Sequence, residues 1–379
     1  MNSGLNPFSG IIEPEQPPRT RCGYPPNEVI LAFQKTLAES GVQATGRCIH
    51  YAADLICSGG INNVFRILWE YSLQHVGLAS ARIFVYLKQR IKEVEDILKT
   101  LPDETAYASQ DFQLKVGELI LVIRDAPTRS LTPWPKVNSE THDEGWIRGA
   151  VIDPVTESAA LRRAWRPEGD MSLLRTAGAH ISKAINEGST ERALWWVKWL
   201  LEEDVLLGKF QKGASLSTIE RGPATLSVKQ RKEVSFFIIH LYSEIYRELA
   251  GKGVVKMSEE FQSLLDLWKY TPKGIGGGHR KQILVILTQI LTEVPKWKVP
   301  AAAALIKDPI YLSNAVKQVP KFFKEVLAYE SPRRVTELAK ALKSRGGAVV
   351  QKKKAKPTDA ATTKMEAYER AMEAYMGKM

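Results

Sequence analysis

The sequence predicts an all-α fold of stacked helical hairpins, arranged in two lobes joined by a proline-rich connector. Three observations lead there. Apolar residues recur at i, i+3, i+4 and i+7 along most of the chain, the signature of one buried face of a helix. Period-2 alternation is confined to one short stretch, Gly149 to Ile152. Proline and glycine gather in a few stretches, where they separate the periodic segments.

Residues 1–27 are rich in Pro, Gly, Ser and Asn and read as an extended arm. Asn27 is a plausible N-cap for a helix over Glu28 to Ala38. The first lobe, 28–125, carries two clear stripes. One is Val64, Ile67, Leu68 and Tyr71, and the other is Ile83, Leu87, Ile91, Val94 and Leu98. Residues 126–170 form the connector, with Pro127, Pro133, Pro135, Pro154 and Pro167. Trp134, Trp146 and Trp165 lie in or beside these prolines, so part of the connector is expected to pack on the helical body. The second lobe, 171–345, repeats the stripe at Val234, Phe237, Ile238, Leu241 and Ile245, and again at Ile283, Leu287, Ile290, Leu291 and Val294. Within it, Gly208 to Ser227 reads as a mobile loop. Residues 346–379 read as a flexible basic link and a short terminal helix. That helix would carry Met365, Tyr368, Met372 and Tyr375 on one side as a partner-docking stripe. Both ends are expected to act as docking segments that the body does not need for stability.

Composition bounds the function classes. Of 379 residues, 44% are hydrophobic and 25% charged, which suits a globular chain with a sizeable core. No run approaches the roughly 18 uncharged apolar residues of a membrane helix. Met1 to Pro18 has neither a basic start nor an apolar core, unlike a secretory signal. Cys22, Cys48 and Cys57 cannot build a disulfide framework. The expected setting is a reducing compartment, cytoplasm or nucleus, with a virion as the alternative.

The charge is unevenly spread. The net charge is 53 − 42 = +11. Between Pro295 and Lys356 stand 15 Lys/Arg and four acids, again +11, so the rest of the chain is neutral in sum. A basic C-terminal third beside a neutral body suits a polyanion, such as the backbone of DNA or RNA, or an acidic protein surface. Arg333, Arg334 and the run Lys352, Lys353, Lys354 and Lys356 are candidate contacts.

A glycine loop supplies the other anion-binding candidate. It comprises Lys273, Gly276, Gly277, Gly278, His279, Arg280 and Lys281, and it leads into a helix reaching Val294. Glycines let the backbone approach a ligand, and a helix N-terminus presents free N–H groups that favour phosphate. Arg280 and Lys281 are expected to face solvent. No G-x-x-x-x-G-K-[ST] occurs, so this is not a nucleotide P-loop. Trp268 and Tyr270 beside the loop could stack on bases. Trp195 and Trp199 share a helical face while Trp196 turns away, which favours core packing over stacking.

No catalytic, cofactor or metal motif is expected. The six histidines lack metal spacing, and no Gly-x-Ser-x-Gly occurs. Cys48, His50 and Cys57 could supply three zinc ligands, but Cys48 and Cys57 read better as buried thiols on a helix.

Two segments share one pattern. Leu37 to Gly41 is followed by Cys48 to Leu55, and Ile185 to Ser189 is followed by Ala193 to Leu201. Each reads as a helix, a Gly/Ser/Thr turn and a second helix, with a turn about three residues longer in the first copy. Ala193-Leu194-Trp195-Trp196 resembles the Ala-Leu-Tyr-Trp helix in the C-terminal region of RarA/MgsA-type replication ATPases, relatives of the clamp loaders. Tyr51 to Leu55, Ser58-Gly59, Arg66-Ile67-Leu68 and Gln74 to Ala79 extend the likeness. Gln74-His75 stand where that family has an acidic pair. The resemblance spans roughly 28–100, with an echo at 178–270. It implies a helical oligomerisation and scaffold module without the ATPase domain. Two readings stay open: a non-enzymatic scaffold associated with nucleic acid or replication, and a structural component of a large DNA virus particle. Protein partners or self-assembly suit both.

Overall fold

The computed structural model describes residues 19–143, 145–147, 149, 156–256, 258–270, 277–296 and 305–340. Among these the fold is all-α, with an isolated bridge between Asp170 and Ser217 as the extended pairing. Of Gly149 to Ile152, residues 150–152 lie outside this set.

Six helices build the first part. These are α1 (Pro26–Ala38), α2 (Val42–Cys57), α3 (Ile61–Tyr71), α4 (Arg82–Thr100), α5 (Asp103–Ala108) and α6 (Gln110–Asp125). α1 starts one residue before the predicted Asn27 N-cap. Pro25 occupies the cap and Pro26 the first turn, where a missing N–H costs nothing and φ is already helical. A π turn, Ser72–Val76, and a 3₁₀ turn, Gly77–Ser80, bend the chain from α3 to α4.

After the connector come α7 (Ala159–Ala164), α8 (Ser172–Asn186), α9 (Thr190–Phe210), α10 (Val228–Arg231), α11 (Val234–Gly251), α12 (Ser258–Tyr270) and α13 (Gly277–Thr292). The long α14 (Pro309–Ala328) and a final helical run at 332–340 follow. α14 is capped by Asp308, whose side chain accepts from the Tyr311 N–H at 2.9 Å.

Both repeated segments are helical hairpins: α1 packs on α2, and α8 on α9. Their turns have the same length, residues 39–41 and 187–189, so the expected longer first turn is absent. Its extra residues wind into the first turn of α2 instead. The predicted stripes are inward. Val64, Ile67, Leu68, Ile83, Leu87, Ile91, Phe237, Leu241, Ile283 and Leu287 are all at most 1% exposed.

One contiguous core runs from Val29 to Val326 and draws on both expected lobes. α14, expected in the second lobe, packs on α2 and α6 of the first. Val319, Phe323 and Val326 face inward there, and Gly117 on α6 lets the backbones close up, since a Cβ at 117 would collide with Val319. No helix among the described residues is long and apolar enough to cross a membrane.

The N-terminal arm is not free along its whole length. Residues 19–24 strap the C-terminal end of α2 to the segment after α14. The Cys22 N–H donates to Asp54 Oδ1 at 3.0 Å, Arg21 Nε to the Cys57 carbonyl at 3.0 Å, and the Ser331 N–H to the Arg21 carbonyl at 2.8 Å. Arg19 pairs with Glu337 at 2.7 Å. Gly23, at φ +89°, makes the turn, and a Cβ there would strike Ser331. The apolar content of residues 1–27 alone does not reveal this, because the strap is held by polar groups.

Candidate functional site

Only part of the expected glycine loop faces outward. Lys273 and Gly276 lie outside the described residues, and Gly277 and Gly278 open α13. His279 Nε2 meets Glu70 of α3 at 2.9 Å, with both side chains about 15% exposed. Burial alone would raise the Glu70 carboxyl, but His279 and Arg66 outweigh it and hold it below the usual range. Arg280 turns inward, against expectation. Its guanidinium lies 4.6 Å from the Trp268 ring centroid and pairs with Glu233 at 3.2 Å. Its side chain is 12% exposed, and burial draws its pKa below the usual guanidinium value while Glu233 opposes. Trp268 is 0% exposed, so it cannot stack on a base; Phe236 packs its ring edge-on at 4.7 Å. Of the three basic residues, Lys281 is the exposed one.

The Arg333-Arg334 pair also divides. Arg333 is exposed, whereas Arg334 is 8% exposed and bonded to Glu330 at 2.7 Å. Lys352, Lys353, Lys354 and Lys356, and the docking stripe Met365, Tyr368, Met372 and Tyr375, lie outside the described residues.

α14 supplies a basic surface that single-residue inspection overlooks. Lys317, Lys321 and Lys324 are exposed, and among the described residues none has an acidic partner. They fall at i, i+4 and i+7, one ridge of the helix, opposite Val319, Phe323 and Val326. Burial of that apolar face on α2 and α6 is what turns the lysines out together. The spacing was visible in the sequence; which helix face would be buried was not. Beyond α14, Arg19, Arg333, Thr336 and Lys340 border a cleft of about 420 Å3. Glu337 lines the same cleft and neutralises Arg19.

The tryptophans form a packed cluster. Trp199 is 1% exposed, and its indole N–H donates to the Thr141 carbonyl at 3.0 Å. Trp146 from the connector lies 5.6–5.8 Å from Trp195, Trp196 and Trp199. Trp196, off the face shared by Trp195 and Trp199, packs between helices. It stacks on His180 of α8 at 4.1 Å, so this ring ties α9 to α8 and to the connector. Trp134 and Trp165 pack on the core as well, as expected for the connector. Truncation of Trp196 to alanine is therefore expected to cost about 2–3 kcal/mol in urea unfolding, below the roughly 3–5 kcal/mol of a fully buried ring. A loss under about 1 kcal/mol would make it a free surface ring.

The cysteines sit in the body as thiols. Burial pushes Cys48 and Cys57 up to about 12, and burial together with Asp54 does the same for Cys22. Nucleophilic work needs a thiolate, which these positions oppose.

The region expected to be a mobile loop, Gly208 to Ser227, is fastened instead. Gly208 lies within α9. Asp170, buried, accepts from Ser217 Oγ at 2.7 Å, from the Arg166 N–H at 2.9 Å and from both terminal nitrogens of Arg221. Arg221 in turn lies 5.5 Å from the Phe237 ring centroid. The carboxylate thus closes its own 166–170 turn and ties it to the loop carrying Ser217 and Arg221. Compared with protein-family models, with curated proteins and with solved structures, the chain matches none of them.

Proposed function

We propose that the chain is a non-enzymatic helical scaffold that binds the phosphate backbone of DNA or RNA through its basic C-terminal third, in the setting of replication or another nucleic-acid assembly. The observation that carries this reading is the ridge Lys317, Lys321 and Lys324, without an acidic partner among the described residues, on the side of α14 opposite the buried Val319, Phe323 and Val326. Many cations of the body are tied to an acid, from Arg19 and Arg90 to Arg221 and Arg280, whereas these three stand together along one helix ridge. Three adjacent uncompensated charges concentrate the field that draws in a polyanion. The charge balance of residues 295–356 adds to the same side. The likeness to the RarA/MgsA collar is consistent with it, as is the glycine-opened start of α13, where Lys281 remains exposed.

Backbone binding makes a sharp demand. Each neutralised phosphate contributes about 0.9 to the slope of log K against log salt on duplex DNA. Lys317→Gln, Lys321→Gln and Lys324→Gln together are expected to weaken binding to a labelled duplex at least tenfold in 0.1 M salt, and to flatten the slope by about 2.7. Unchanged affinity and slope in the full-length variant would end the proposal for this face.

A second reading has its own observation. Phe210, Ile310, Val42 and Leu31 are 85, 77, 75 and 65% exposed, large apolar side chains that suit protein contacts in an assembled particle. A virion component would sediment with its particle and bind free nucleic acid without the steep salt response.

A further inference from the structure

A cleft of about 570 Å3 lies between α14 and the corner joining α5 to α6. Ala108, Gln110 and Gln113 line it from the α5–α6 corner, and Pro320, Lys324, Leu327 and Ala328 line it from α14. The lysine ridge continues from Lys324 to Lys321 and Lys317 along the same side of α14. The cleft therefore combines apolar side chains with two glutamines, and its α14 side carries the basic ridge.

We propose that residues 364–376 of this same chain dock as a helix in that cleft, antiparallel to α14. The sequence there is Lys-Met-Glu-Ala-Tyr-Glu-Arg-Ala-Met-Glu-Ala-Tyr-Met. At 3.6 residues per turn, Met365, Tyr368, Met372 and Tyr375 make one stripe, and Glu366, Glu369 and Glu373 make a second beside it. The two charged rows have matching spacing only when read in opposite directions. Stepping back along α14 from Lys324 to Lys321 to Lys317 takes three and then four residues, and stepping forward from Glu366 to Glu369 to Glu373 takes three and then four. One antiparallel register thus pairs Lys324 with Glu366, Lys321 with Glu369 and Lys317 with Glu373. A parallel alignment breaks the match.

Helix geometry gives the same orientation independently. On α14 the lysine row is displaced from Pro320 and Leu327 of the cleft in the same rotational sense as the tail's glutamates are from its Met/Tyr stripe. Two such helices facing each other bring their charged rows to one side of the seam only when antiparallel. The tether suffices: 24 residues separate Lys340 from Lys364, and a chain of that length spans roughly 25–29 Å on random-coil scaling. The proposal supplies the terminal stripe with a groove and the lysine ridge with a counter-charge from one segment.

Docking covers the ridge that the proposed function assigns to polyanion, so it would act as a brake on that binding; this consequence rests on the earlier reading, while the docking itself does not. The test is a disulfide trap in the full-length chain. Ala328→Cys with Met365→Cys is expected to cross-link within one molecule under mild oxidation, at least fivefold more than Val254→Cys with Met365→Cys. Reversal of Lys317, Lys321 and Lys324 to Glu should lower the trapped fraction at least fivefold, and adding Glu366→Lys, Glu369→Lys and Glu373→Lys should restore it. A trapped fraction no higher than the Val254 control, a charge swap without rescue, or a cross-link forming between two copies would overturn the proposal. Separately, Glu366→Gln, Glu369→Gln and Glu373→Gln should tighten duplex binding at least fivefold. A successful trap with no such gain would leave the docking intact and count against the polyanion reading alone.

Discussion

Replacement of Asp170 by alanine is expected to lower the free energy of unfolding by about 3–5 kcal/mol, measured by urea titration. The reason is local. The Asp170 side chain is fully buried and that of Arg221 is 7% exposed, so their charges compensate each other in a place water does not reach. Without the carboxylate, the guanidinium stays buried beside Phe237, and the Ser217 hydroxyl and the Arg166 N–H lose their acceptor. The double replacement Asp170→Leu with Arg221→Leu should be milder than either single change, because no lone charge remains. A loss below about 1 kcal/mol for Asp170→Ala would mean that the two loops open to solvent and that the pair works as a surface pair.

The second large effect belongs to Arg280. Arg280→Glu is expected to destabilise the chain by at least about 3 kcal/mol, since it places a second carboxylate against Glu233 and removes the cation from the face of Trp268. Lys281→Glu, one position along, should stay within about 0.5 kcal/mol of the parent, as exposed substitutions do. Thermal unfolding of the two single variants separates the cases. Equal melting temperatures for both would return Arg280 to the surface and restore the glycine loop as an anion site.

The contrast between these neighbours shows what a one-dimensional reading carries. A helix start with glycines and three consecutive basic residues is chemically the same string whether it greets a phosphate or closes on its own protein. Its use depends on what other segments bring to it. Glu70 comes from α3 and Glu233 from the start of α11, more than 200 and more than 40 residues away in sequence. No local spacing announces either encounter. The tryptophans behave alike: Trp195, Trp196 and Trp199 are legible as a helix stripe, but Trp146 and His180 arrive from the connector and from α8.

The sequence by itself determined the helical class, the buried stripes and the two hairpins, because a 3.6-residue apolar period and a short glycine turn are local constraints. It also determined where the charge accumulates, since that is a sum. Only the tertiary structure decided that α14 returns to α2 and α6, that residues 19–24 strap the ends together, and that the connector's tryptophan joins the α9 cluster. Those are choices among apolar and polar surfaces of similar chemistry. They are made by shape, as where Gly117 admits Val319, and by the need of each buried charge to meet a partner of opposite sign. The lysine ridge is the product of both levels: its spacing is written in the chain, and its exposure follows from the face that packing consumed.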